Sequence, residues 1–156
     1  MSLNRDFSEL LSELNAGGAR YLLVGGYALS FYGRPRATGD LDLWIDSTLP
    51  NAETVFRALA NYGAPLEGVT AADFAKPETV LQIGVSPNRV DILTSLTGLS
   101  FEEAWQNRKP ISFGDVPLFV ISESDFVRNK RSVGRAQDLV DAEEIQAILD
   151  DRGGLE

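Results

Sequence analysis

Histidine and cysteine are both absent from the sequence. Without an imidazole, any acid–base or metal chemistry falls to carboxylates, lysine or tyrosine. Without thiols there are no disulfides and no thiolate metal sites, and the redox compartment is left unmarked. Long apolar runs are missing too: "YLLVGG" and "PLFVI" are far too short to cross a bilayer. The opening "MSLNRDF" has no apolar segment of the kind that marks a secretory signal, so a cytoplasmic protein with no membrane partner is expected. Positive charge is scarce, with 14 Lys and Arg against 23 Asp and Glu and a formal net charge of −9. That balance argues against a broad basic face for duplex nucleic acid. It leaves room for a small phosphate ligand held by a few cations or a metal.

What is present suits one compact domain over residues 1–156, with 44% hydrophobic residues and no internal repeat or linker. Phe7, Leu10, Leu11 and Leu14 fall at helical spacing ahead of Gly17-Gly18, and "RYLLV" reads as a buried strand. "GGYALSFYG" is a turn into a short helix. "DLDLWID" alternates, with Leu41, Leu43 and Ile45 on one face and Asp40, Asp42, Trp44 and Asp46 on the other. "NAETVFRALANYG" reads as an amphipathic helix closed by Gly63, and the loop-like "APLEGVTAADFAKPE" predicts mobility. A hairpin is expected about "SPN", a short helix from the capping box Ser100–Glu103, and two strands about Gly114-Asp115. The last third predicts two helices over about residues 122–150 that pack on the sheet, the second burying Leu139, Ile145, Ile148 and Leu149 or their neighbours. The fold class is therefore α+β, a mixed sheet flanked by helices.

Aspartate packs poorly on a half-buried strand, so the placement of Asp40 and Asp42 on one face needs compensation. Two carboxylates that close raise each other's pKa unless a cation lies between them. Mg²⁺ or Mn²⁺ resolves the conflict, since hard cations take carboxylate oxygens. "RVDIL" carries a third acid, Asp91, and if its strand lies beside "DLDL" the three converge. A lone D-x-D is most often a solvated strand face; Asp46, nearer the far turn, is read that way and left out of the site. Gly25 and Gly26, between a buried strand and a helix, allow close backbone approach and leave amides free for phosphate oxygens. Trp44 is expected to cover a helix, Tyr27 and Tyr32 to sit in the core or at its rim, and Asp141 to be a surface acid.

Together these features give "GGYALSFYGRPRATGDLDL" a form that resembles the signature of the polymerase-β-like nucleotidyltransferase superfamily. Within it the chain is most similar to small bacterial AbiEii-type and related nucleotidyltransferase-fold proteins, and "KRSVGRAQDLVD" extends the likeness into the C-terminal third. The resemblance implies a nucleotidyltransferase fold in which Gly25 and Gly26 line the nucleotide phosphates. It implies metal ligation by Asp40, Asp42 and Asp91, with Asp91 aiding deprotonation of an acceptor hydroxyl. It further implies contact of Lys130 with the triphosphate, a polar role for Asp138, and phosphate contacts from Arg36 and Thr38. Many members have Gly-Ser where this chain has Gly25-Gly26, which removes a hydroxyl but keeps the backbone donors. The implied reaction is metal-dependent transfer of a nucleoside monophosphate from an NTP to an acceptor hydroxyl on tRNA, protein or a small molecule. A toxin acting with an antitoxin or partner subunit is one implied role. The alternative is a catalytically inactive domain that binds nucleotide or a partner.

Overall fold

The computed structural model describes residues 5–33, 39–85 and 88–154. Twelve residues open it as helix α1 (Arg5–Ala16), whose buried side are the four apolar positions expected, Phe7, Leu10, Leu11 and Leu14. Strand β1 (Tyr21–Val24) is buried along its whole length and leads without a loop into helix α2 (Gly25–Phe31). Strand β2 (Leu41–Ile45) then runs antiparallel to β1, and helix α3 (Leu49–Tyr62) follows, closed by Gly63 in the left-handed conformation at φ 95°. Next come strands β3 (Val80–Ile83) and β4 (Val90–Leu93), helix α4 (Phe101–Gln106), and strands β5 (Lys109–Phe113) and β6 (Val116–Val120). Helices α5 (Glu123–Val133) and α6 (Ala136–Gly154) complete the chain.

Among the described residues the strands form one six-stranded sheet in the order β3-β4-β2-β1-β6-β5. The β2–β4 and β1–β6 pairs are parallel and the others antiparallel, so the sheet is mixed and the α+β expectation holds. Both expected hairpins, β3–β4 and β5–β6, are present. Helices α5 and α6 pack on each other and send Phe126, Val127, Ala142 and Ile145 into the common core. Among the described residues no helix is long and apolar enough to cross a membrane.

Three expectations are corrected. The stretch 64–78 is not a loose loop. It holds a 3₁₀ turn at Ala71–Ala75, closed by a Thr70–Asp73 capping box, and Phe74 is fully buried edge-on to Phe56. Its end is tied to the sheet by buried Thr94, whose hydroxyl donates to the Lys76 carbonyl at 2.6 Å. The polar surface of the stretch hid one anchoring aromatic. In α6, Leu139 is 46% exposed, whereas Asp138, Asp141, Ala142 and Ile145 are buried. These four share one helical face, and two of them are acids that an apolar periodicity passes over. Nor is the aspartate face of β2 solvated beyond Asp42. Trp44 is buried edge-on to Phe101 at the start of α4, as a helix-covering role requires, and Asp46 is buried as well.

Asp46 is a structural acid. Its carboxylate pairs with Arg20 at 3.0 Å and accepts from the Thr48 amide at 3.1 Å, while Asn51 donates to its carbonyl at 2.6 Å. Arg20 in turn lies over the Trp105 ring at 4.8 Å. This knot fixes the exit of β2.

Because Phe74 anchors residues 64–78, Phe74→Ala is expected to lower stability by about 3–5 kcal/mol in urea titration. A loss below about 1 kcal/mol would mean that the stretch is not pinned to the core.

Candidate active site

Three adjacent strands bring the site together through their register. Val24 at the end of β1 lies opposite Asp42 on β2, and Asp42 lies beside Asp91 on β4. Parallel pairing keeps side chains at matching positions on one face, so the carboxylates of residues 42 and 91 emerge side by side. One step earlier the same register sets Asp40 near Arg89, with the Leu41 amide donating to the Arg89 carbonyl at 2.9 Å.

Gly25 is required twice at the end of β1. Its φ of 72° lies in the left-handed region, and a Cβ there would collide with the Asp42 carboxylate, coming within 2.9 Å of Cγ. The backbone bend therefore sits directly against Asp42. Gly26 continues α2 from this bend.

Crowding governs the electrostatics. The Asp42 carboxyl is pushed up to about 7, first by burial, then by the charge and hydrogen bond of Asp91, then by Asp40, and Lys130 pulls it part of the way back. Lys130 projects from α5 near Phe126 and lies 3.6 Å from Asp138. Asp138 is buried at the start of α6, and a 2.7 Å hydrogen bond from Arg135 holds it below the usual carboxylate range, with help from Lys130. Gly25, Asp42, Leu96, Phe126, Lys130 and Asp138 face one cleft of about 500 Å³, a size suited to a small ligand. Arg36 and Thr38 lie outside the described residues.

One acid of α6 departs from its sequence reading. Asp141, expected at the surface, is 1% exposed and accepts from the Gln137 side chain at 2.9 Å. Tyr32, by contrast, sits at the rim as expected, its hydroxyl donating to the Ile121 carbonyl at 2.6 Å. Sequence reasoning missed Arg89. Its guanidinium reaches Asp40 Oδ2 at 2.8 Å and Asp91 Oδ1 at 3.0 Å. The signal was available: Arg89 stands two residues before Asp91, hence on the same face of the strand.

The donor set suits a hard divalent cation. It consists of carboxylates alone, and Asp91 Oδ1 is buried with no hydrogen-bond partner among the described residues. As these side chains stand, no group of three or more acids among the described residues is already arranged as a metal cage. Arg89 holds oxygens of two of the three acids.

Two predictions follow from this crowding. Gly25→Ala should cost about 1–2 kcal/mol for the left-handed backbone alone and more for displacing Asp42. Gly63→Ala also has a positive φ but nothing within 4 Å of its Cβ, so it should cost less; equal losses in urea titration would contradict the close approach at Gly25. Asp42 binds its proton more tightly in the folded chain than its ordinary value of 3.8 allows. Its stability contribution in EDTA is thus full below about pH 4 and lost as pH rises through about 7. Asp42→Asn removes that loss, so between pH 5 and pH 8 the variant should gain about 2–8 °C in Tm over the parent chain. Parallel profiles would contradict it.

No family model matches the chain, and no curated protein shows a significant match. Among solved structures it is similar to the crystal structure of "a putative nucleotidyltransferase" from Thermotoga maritima. The similarity has a TM-score of 0.55 at 12% sequence identity and covers 94% of this chain and 92% of that one. The mixed sheet and its flanking helices thus match those of a nucleotidyltransferase-fold neighbour.

Proposed function

We propose that the chain is a metal-dependent nucleotidyltransferase that moves a nucleoside monophosphate from an NTP to an acceptor hydroxyl. The observation that carries this reading is the three-strand register, which sets Asp42, a residue lining the cleft, between the Gly25 bend and Asp91. The shared fold and the likeness of the glycine–aspartate run to the polymerase-β-like superfamily support it.

Asp40, Asp42 and Asp91 would hold Mg²⁺ or Mn²⁺. When bound, the metal neutralises triphosphate charge and lowers the pKa of the attacking hydroxyl. The backbone at Gly25 and Gly26 receives the phosphates, since no side chain stands between the strand end and Asp42. Lys130 supplies a fixed positive charge on the opposite wall, oriented by Asp138. Arg36 and Thr38 add phosphate contacts in this reading. The acceptor oxygen bonds to the α-phosphorus, its proton passes to Asp91, and the α–β bridging bond breaks so that pyrophosphate leaves with the electron pair. Catalysis is then positioning and electrostatic stabilisation, which a chain without histidine can supply.

One observation favours a second reading, that of a domain which binds nucleotide or a partner without turnover. Arg89 already neutralises two of the acids. The two are separated by incubating the protein with each α-labelled NTP and Mg²⁺ or Mn²⁺, together with total RNA, cell-lysate protein or small hydroxyl compounds. Label transfer that falls by about 10²–10³-fold or more in a folded Asp42→Ala variant is the expected outcome. Metal-dependent NTP binding without transfer would replace the enzyme by the binding domain. If the AbiEii-type likeness extends to biology, expression arrests growth and the product of a neighbouring gene relieves it.

A further inference from the structure

The cation that the carboxylate trio already has is its own chain's. Arg89 Nη2 lies 2.8 Å from Asp40 Oδ2 and donates to Asp91 Oδ2 at 3.3 Å, and Nε lies 3.0 Å from Asp91 Oδ1. This fork does not satisfy its partner well. Asp91 Oδ1 and Arg89 Nε are both buried and close, yet neither makes a hydrogen bond among the described residues, so only the long Nη2–Oδ2 arm of the fork is directed. A carboxylate–guanidinium pair is strongest when two parallel N–H groups meet two oxygens, and that geometry is lost where one guanidinium spans two acids on different strands. A divalent cation has no such directional donors and takes the same oxygens from any approach. Release of Arg89 needs no repacking, because its side chain is 31% exposed and its backbone is held by the β2–β4 pairing rather than by the guanidinium.

We infer that Arg89 is a positioning residue that competes with a divalent cation for the oxygens of Asp40 and Asp91, and thereby sets how tightly the site binds metal. This rests on the metal-site reading proposed above. Without metal the guanidinium keeps the acids together on their two strands; with metal it yields its places to the ion. A purely structural strut would do the first and not the second, which makes the two distinguishable.

The test is Mn²⁺ binding to the full chain, read from the loss of the free-ion EPR signal, together with thermal melting in EDTA and in Mn²⁺. Arg89→Gln should tighten Mn²⁺ binding about tenfold, the effect of removing a like charge a few ångströms from the ion. It should melt lower than the parent in EDTA and recover in Mn²⁺. Arg89→Lys keeps the charge but loses the fork and should fall between the two. Arg20→Gln, which breaks an ion pair at the far end of β2, should leave Mn²⁺ affinity unchanged. Unchanged or weaker Mn²⁺ binding in the Arg89 variants, while the parent chain binds, overturns the competition and leaves the nucleotidyltransferase reading standing. If Arg89→Gln does not fold, Arg89→Lys decides by the same criterion. Absence of Mn²⁺ binding in parent and variants alike overturns both.

Discussion

Asp42 is pressed between a glycine backbone on one side and a second carboxylate on the other, and the centre of the molecule is arranged so that it cannot leave. Its strand is paired on both edges, with β1 on one and β4 on the other. Sliding either pairing by one residue would turn Leu41, Leu43 and Ile45, all fully buried, toward the aspartate face. The hydrophobic core therefore dictates the register, and the register dictates that residues 42 and 91 meet. The repulsion at the cleft is imposed by packing energy elsewhere, which is how a fold can maintain an electrostatically unfavourable cluster.

A cluster so maintained attracts positive charge, and the chain has little to give. Against a net charge of −9, cations gather here: Arg89 between Asp40 and Asp91, and Lys130 and Arg135 on the helical wall. They are distributed unevenly in function. Arg135 is bound to Asp138 in a tight local pair, and Lys130 is shared between Asp138 and the field of Asp42. Arg89 touches Asp40 and Asp91 directly. In the proposed reaction the wall would turn part of this charge to an anion entering the cleft, while Arg89 neutralises the acids of the sheet.

Most of the scaffold was readable from periodicity, because α1, β1, β2 and the two hairpins bury apolar side chains at the spacing their type of element demands. Asp40, Asp42, Gly25 and Asp91 stood out as candidates because each breaks a local preference: acids on a strand, a glycine where a strand meets a helix. Features that break no such preference escaped. Phe74 is one aromatic in a polar stretch, and only tertiary contact shows that it anchors the segment. Arg89 beside a turn looks like ordinary surface charge until strand order places it between two acids. Asp141 reads as a polar position of an exposed helix face, yet it lies on the side of α6 that also carries Ala142 and Ile145 inward. Strand order and helix facing are long-range facts, which a one-dimensional pattern does not contain.

Comparison among the buried acids separates structural from chemical ones. Asp46 pairs with Arg20 and caps the chain at Thr48; Asp125 accepts from Asn107 at 3.3 Å; Asp141 accepts from Gln137; Glu123 is paired with Arg152. Each of these has a structural partner on a neighbouring turn or element. The acids of residues 42 and 91 join nothing of that kind, since the strands that carry them are already held by backbone pairing. Their nearest partners are each other and one guanidinium that meets Asp91 at a poor angle. A half-buried carboxylate without a structural task disfavours the folded state, and two such groups side by side mark the place to seek a functional site. The metal-bound triphosphate of the proposed reaction would relieve this conflict, because it would bring positive charge to the acids and an anion for the cations of the opposite wall in one event.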